Sequence, residues 1–120
     1  MTLHPGSTPD VPALYAAWSV GDVPAVVACL HPDVDWPEPW SGGRVRGQDA
    51  VAAHLTAQGL DLRLTLRPLE VRATGGGLAV TVHQVVRDTD GDVLSDTTVL
   101  HTLTVRDGLV GRLDVGEPPP

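Results

Sequence analysis

Phenylalanine is absent from this chain, and aromatic residues make up only 3% of it. Valine, leucine and alanine must therefore build most of any core, and the few large rings become informative by position. Four of them, Tyr15, Trp18, Trp36 and Trp40, fall in one stretch near the start. The chain has a single cysteine, Cys29, which rules out an internal disulfide and a cysteine-rich zinc site. Within AVVACL this thiol reads as a small core residue rather than a nucleophile. There is no basic surplus: the net charge is −7 and the pI about 4.9, which argues against a partner held by its phosphate backbone, so no nucleic acid is expected. No apolar run approaches the roughly 20 residues of a membrane span, and MTLHPGSTP has neither the basic start nor the apolar centre of a signal peptide. The expectation is a soluble, cytoplasmic protein with no membrane partner.

What is present fits one compact domain over residues 1–120, since 42% of the residues are hydrophobic and 19% charged. Proline at both ends predicts flexible termini over 1–7 and 116–120. Ser7, Pro9 and Asp10 read as a helix start with Ser7 as cap, and Val11, Leu14, Tyr15 and Trp18 recur at i, i+3, i+4, i+7. Gly21 ends that helix, Asp22 caps a second over 23–30, and His31-Pro32 stops it. An extended piece over 34–37 follows. Pro37, Pro39 and Gly42-Gly43 predict a loop up to Arg46. A third helix over 47–58 ends at Gly59 and turns Val51, His54, Leu55 and Gln58 to one face.

Beyond Gly59 the period becomes two. Leu62, Leu64 and Leu66 alternate with Arg63, Thr65 and Arg67, and Pro68 forces a bulge or bend. Residues 78–87 form a strand with Leu78, Val80, Val82, Gln84 and Val86 on one face. Asp90-Gly91 turns it into a strand over 93–106, with Val99, His101, Leu103 and Val105 together, and Asp107-Gly108 turns that into a last strand over 109–115. Helices first and an antiparallel meander after give an α+β class: a cone-shaped α+β barrel, three helices packed on a strongly bent, mainly antiparallel sheet that encloses a pocket.

Four features carry a family resemblance: the first helix ending in Gly21-Asp22, the short apolar helix after it, the element Asp33-Val34-Asp35-Trp36-Pro37-Glu38-Pro39, and Gly47-Gln48-Asp49-Ala50-Val51 opening the third helix. With them the chain resembles the nuclear transport factor 2-like superfamily, in its SnoaL-like and ketosteroid-isomerase-like branch, over nearly its whole length. The resemblance implies a cone-shaped pocket and, often, dimerisation through the outer sheet face, where alternation places Thr65, Thr81, Thr98, Thr102 and Thr104 with Arg63, Arg67, His83 and Arg106. A homodimer is the expected assembly. The fold hosts isomerases, cyclases, dehydratases, epoxide hydrolases and plain binding modules, so the site must decide the function.

In the isomerase pattern the residue before the proline of the first strand is the proton-abstracting carboxylate, and Glu38-Pro39 matches it. Between Trp36 and Trp40 a carboxylate would be desolvated and suited to act as a base; the alternative is a solvated loop glutamate. His101, polar on an otherwise apolar face, corresponds to the isomerase's protonated aspartate and either donates a hydrogen bond to an enolate oxygen or is a satisfied core histidine. The tyrosine of that oxyanion hole falls, counting back from Gly21, on Leu14, with Tyr15 one position round the helix. His54 points toward the pocket, and Gln84 is a cross-pocket partner or a satisfied core amide. Glu38, His54 and His101 are metal-ligand types without metal-site spacing, so no metal is assigned. The epoxide-hydrolase pattern, an arginine between two aspartates, finds one aspartate in Asp114 but no Arg-x-Asp in residues 78–86, and it is set aside. Asp88, Asp90 and Asp92 read as a polar hairpin, because a calcium loop would need glycine at its sixth position.

The expected function is binding of a small hydrophobic or cyclic molecule in an apolar pocket ringed by Trp18, Trp36 and Trp40. As an enzyme, the chain would move a proton next to a carbonyl without a cofactor, with Glu38 as base, His101 polarising the carbonyl and His54 or Gln84 orienting the ligand. The alternative is a non-catalytic binding or dimerisation module.

Overall fold

The computed structural model describes residues 9–38 and 42–118. Helix α1 (Val11–Ser19) is capped by the carboxylate of Asp10, which accepts from the backbone N–H of Ala13; Ser7, the expected cap, lies outside the described residues. Helix α2 (Val23–Val27) is capped by Asp22 as expected, but it is shorter than predicted, because Leu30 already belongs to strand β1 (Leu30–Glu38). Pro32 and Pro37 sit inside that strand, where a missing N–H is tolerated at positions that donate no ladder bond.

The loop predicted up to Arg46 is corrected in part. Strand β2 (Gly43–Arg46) returns along β1, pairing Asp35 with Arg46 and Trp36 with Val45. Gly42, at φ +72, supplies the left-handed residue that leads into it. Helix α3 (Gln48–Asp61) runs through Gly59 rather than stopping there. A helical glycine carries a modest penalty that packing of the opposite face outweighs.

Strands β3 (Leu62–Ala73), β4 (Gly77–Asp88), β5 (Val93–Arg106) and β6 (Leu109–Gly116) form the antiparallel meander, and the six-stranded sheet has the order β2-β1-β6-β5-β4-β3. Only the contact of β1 with β6 is parallel. The register skips Leu69 opposite β4, Leu94 opposite β4 and Gly111 opposite β5, bulges that bend the meander, and it shifts again between β1 and β6. Leu69 lies next to Pro68, as the proline predicted. Gly77 is required for a different reason: a Cβ there would lie 1.9 Å from the carbonyl oxygen of Leu103, a backbone atom that cannot move aside.

The core lies between the helices and the concave face. Val11, Leu14 and Tyr15 of α1, Val51 and Leu55 of α3, and Leu66, Leu78, Val80, Val82 and Leu103 of the sheet are all buried in it. Alternation predicted nearly all of these sheet positions.

Candidate functional site

Each wall of the site is fixed by a local sequence feature. Helix α3 is hooked to β1 at its start: the N–H of Gly47, at φ +88, donates to the Val34 carbonyl at 2.8 Å, and the Gln48 amide donates to the Leu30 carbonyl at 2.9 Å. Helix α1 is tied to β3 at its end, where the Ser19 hydroxyl accepts from the Leu66 N–H at 2.9 Å and donates to the Leu66 carbonyl at 3.2 Å. Between these anchors the structure brings Glu38 and His54 to one recess of about 310 Å³, shared with Ala57, Gln58, Asp61 and Leu62. Glu38 reaches it because Val34, Trp36 and Glu38 alternate onto one side of β1. His54 reaches it because it shares a helical face with Val51, Leu55 and Gln58.

Gln58 and Leu62 also border a second cleft of about 530 Å³, whose walls include Trp18, Val23, Leu55 and Leu64. The two spaces therefore adjoin along α3. Two carboxylates, an imidazole and an amide stand at one end, and a more apolar wall closed by an indole, with Arg63 at its edge, stands at the other. That is the composition of a small-molecule site: mostly apolar lining with a few converging polar groups.

Behind Trp18 lies an aromatic interior. The Tyr15 hydroxyl and His101 Nδ1 are 2.7 Å apart, with both residues at 1% exposure. The Trp18 ring stacks 5.7 Å from Tyr15 and 5.6 Å from His101, and it meets Trp36 at 4.9 Å. Burial lowers the His101 imidazole to about 4 and raises the Tyr15 phenol well above its usual range, so both are neutral near pH 7. A neutral tyrosine and a neutral imidazole carry two polar hydrogens and use one between themselves. Whichever ring nitrogen holds the proton, one donor remains for a third atom.

The expected site residues are thus brought together in two groups. Glu38 and His54 share the recess, while Tyr15, Trp18, Trp36 and His101 share the interior. Leu14, on which the place of the isomerase tyrosine falls by counting, and Tyr15 are both buried, and it is the Tyr15 hydroxyl that meets His101. Trp36, expected on the pocket wall, is a core ring at 2% exposure behind Trp18. Gln84 lies opposite Leu66 and Thr97 in the sheet and lines neither the recess nor the larger cleft. Trp40 lies outside the described residues. Among those residues no three potential metal ligands converge.

Sequence reasoning missed Asp61, which enters the recess because α3 continues past Gly59. It also missed a charged seam on the opposite side of the sheet. Asp35 alternates away from Trp36 and is 7% exposed. Its carboxylate accepts from Arg44 Nε and, at 3.0 Å, from Arg112, with Arg46 at 3.6 Å. Asp114 accepts from Arg44 at 3.2 Å and from Arg112 at 2.9 Å. The Arg44 hydrogen bond, helped by the charges of Arg112 and Arg46, holds the Asp35 carboxyl below its usual range despite desolvation. Asp114 thus faces out beside Arg112. The register pairs Asp35-Arg46 and Asp35-Arg112 would have exposed the seam had the loop over 43–46 been read as a strand.

Residues 11–113 match the SnoaL-like domain model. A crystal structure of a candidate polyketide cyclase from Xanthomonas campestris is 28% identical, with a TM-score of 0.70 over 88% of this chain and 84% of that one. TerC, co-crystallised with polyporic acid, is 25% identical, with a TM-score of 0.76 over 90% and 88%. A nuclear transport factor 2-like protein of unknown function from Burkholderia pseudomallei is 24% identical, with a TM-score of 0.76 over 90% and 87%, and shows the shared fold. No curated protein matches the chain.

Proposed function

The chain belongs to the SnoaL-like domain family, and on that premise we propose that it binds a small cyclic, mainly apolar, carbonyl-bearing molecule along α3 and moves a proton next to the carbonyl. The observation that carries this reading is the pairing of Glu38, from β1, with His54, from α3, in one recess that opens beside an apolar cleft. Glu38 takes a proton from the carbon beside the carbonyl, and the released electron pair moves to the carbonyl oxygen. The spare donor of the Tyr15–His101 pair meets that oxygen as charge develops, His54 orients the ligand, and Glu38 returns the proton to another carbon or to a leaving hydroxyl. The reaction class is isomerisation, cyclisation or dehydration, and it needs no cofactor. The candidate polyketide cyclase and the polyporic-acid complex among the similar structures support a ring-forming or ring-bearing substrate.

The test is proton exchange at the carbon next to the carbonyl of 1-tetralone in D2O, followed by NMR. The native protein is expected to accelerate exchange, and Glu38→Gln to lose roughly 10²-fold or more while still binding. Equal exchange by Glu38→Gln would reject Glu38 as the base.

One observation favours a second reading, a binding module without turnover: Tyr15, Trp36 and His101 are almost wholly buried, and none of the described clefts is lined by them. Under that reading 1-tetralone binds and its exchange rate stays at the solution value. In either reading the assigned protein partner is a second copy of the chain on the outer sheet face, which sedimentation velocity tests as a dimeric mass against a monomeric one.

A further inference from the structure

Trp18 Nε1 is the one buried side-chain nitrogen or oxygen among the described residues that lacks a hydrogen-bond partner. Native proteins rarely leave such a donor orphaned, because the water it gave up on burial is then not replaced. The same indole forms a wall of the larger cleft on one side and stacks on Tyr15 and His101 on the other. It lies between the space that a ligand can enter and the buried Tyr15–His101 pair beyond. None of its neighbours in the stack accepts a hydrogen bond from it: Trp36 offers only an N–H, and the Tyr15 hydroxyl and His101 Nδ1 bond to each other.

We infer that Trp18 is a specificity-determining residue whose indole N–H takes an acceptor oxygen of the ligand, so that the cleft selects ring compounds bearing a carbonyl over the matching hydrocarbons. Because the nitrogen has no exposed surface in the closed arrangement, the ring must turn to make this bond. The turn opens the cleft toward the Tyr15–His101 hydrogen bond beneath it. A carbonyl compensates for the displaced stacking by satisfying a donor that the closed arrangement leaves unmade; a hydrocarbon offers no such return. This selection rests on the ligand-binding reading above and adds to it how the carbonyl is recognised.

The experiment titrates the native protein and Trp18→Phe with 1-tetralone and with tetralin, its hydrocarbon counterpart, by NMR. The native protein should prefer the ketone by at least about fivefold, the lower end of what an unpaired buried donor is worth. Trp18→Phe should bind both with near-equal affinity. In the native protein the indole N–H signal of Trp18, identified by its loss in Trp18→Phe, should move downfield with 1-tetralone and stay in place with tetralin. An unchanged preference in Trp18→Phe, or an unmoved indole signal while 1-tetralone is bound, overturns the role of Trp18 and leaves the ligand-binding reading standing. Failure of both compounds to bind the native protein overturns both. Should Trp18→Phe not fold, the indole signal of the native protein, assigned through the backbone, decides alone.

Discussion

The interior of the cone and the seam where β1 meets β2 and β6 both hold polar side chains away from water, yet one keeps them neutral and the other keeps them charged. Inside, Tyr15 and His101 satisfy each other at 2.7 Å among stacked rings, and burial drives the imidazole to its uncharged form. At the seam, Asp35 stays ionised because Arg44, Arg46 and Arg112 surround it while their own side chains remain 29%, 80% and 44% exposed. The difference follows from access to water. A deeply enclosed charge must be neutralised or paired with great geometric care, whereas a charge at a sheet margin can share arginines that stay hydrated. Under the proposed reaction, the first arrangement supplies the hydrogen-bond donor that a developing enolate oxygen requires.

The comparison breaks most visibly on volume. Trp36→Ala should cost about 3–5 kcal/mol in urea unfolding, because it empties the centre of the aromatic stack and the surrounding strands cannot collapse into the gap. A loss below about 1 kcal/mol would mean that the interior is loosely packed. The next effect is on pH. The folded-state pKa of His101, about 4, lies below its ordinary value of 6.5, so between those values the unfolded chain binds the extra proton. Stability should therefore fall by about 3 kcal/mol as pH drops through that window. The loss should flatten in His101→Leu. The carboxyl of Asp35 acts in the same sense in a lower window: its depressed pKa stabilises the fold above its ordinary value near 3.8, and that share is lost only at lower pH. An acid-unfolding curve thus separates the two regions, the interior titrating first.

Asp35→Ala should cost about 1.5–3 kcal/mol, less than loss of a wholly buried ion-pair partner, because the three stranded arginines can rehydrate. Smallest of all, raising salt from 0.1 to 1 M should shrink the Asp35→Ala difference by a few tenths of a kcal/mol and leave the Trp36→Ala difference alone. Equal salt sensitivity at the two sites would erase the distinction between them.

The helices and strands were legible because their signals are local: the 3.6 period of Val11, Leu14, Tyr15 and Trp18, the alternation of Leu78, Val80 and Val82, and Asp22 as a cap. Glu38 and His54 were legible as candidates, and their meeting in one recess follows from the hook of Gly47 and Gln48 onto β1, which no local pattern displays. Counting back from Gly21 puts the tyrosine of the isomerase pattern on Leu14, with Tyr15 about 100° round the helix, and no local pattern displays that Tyr15 meets His101. Strand β2 was hidden by Pro39 and Gly42-Gly43, since turn residues mark where a chain bends but not that the next four residues pair backward. With β2 unread, Asp35 had no visible arginines and the seam went unnoticed. Trp18 as a partition, rather than one of three rings around a pocket, depends on stacking geometry alone.

The measurement that tests the central claim most directly is the set of intermolecular NOEs from bound 1-tetralone to the assigned protein. The account predicts contacts to Trp18, Leu55, Gln58 and Leu62, which border the joined clefts, with signals from His54 shifting alongside. Contacts confined to the polar groove of Asp33, Arg46, Thr104 and Arg112 on the other side of the sheet would contradict it, and would move the binding site from the neutral interior to the charged seam.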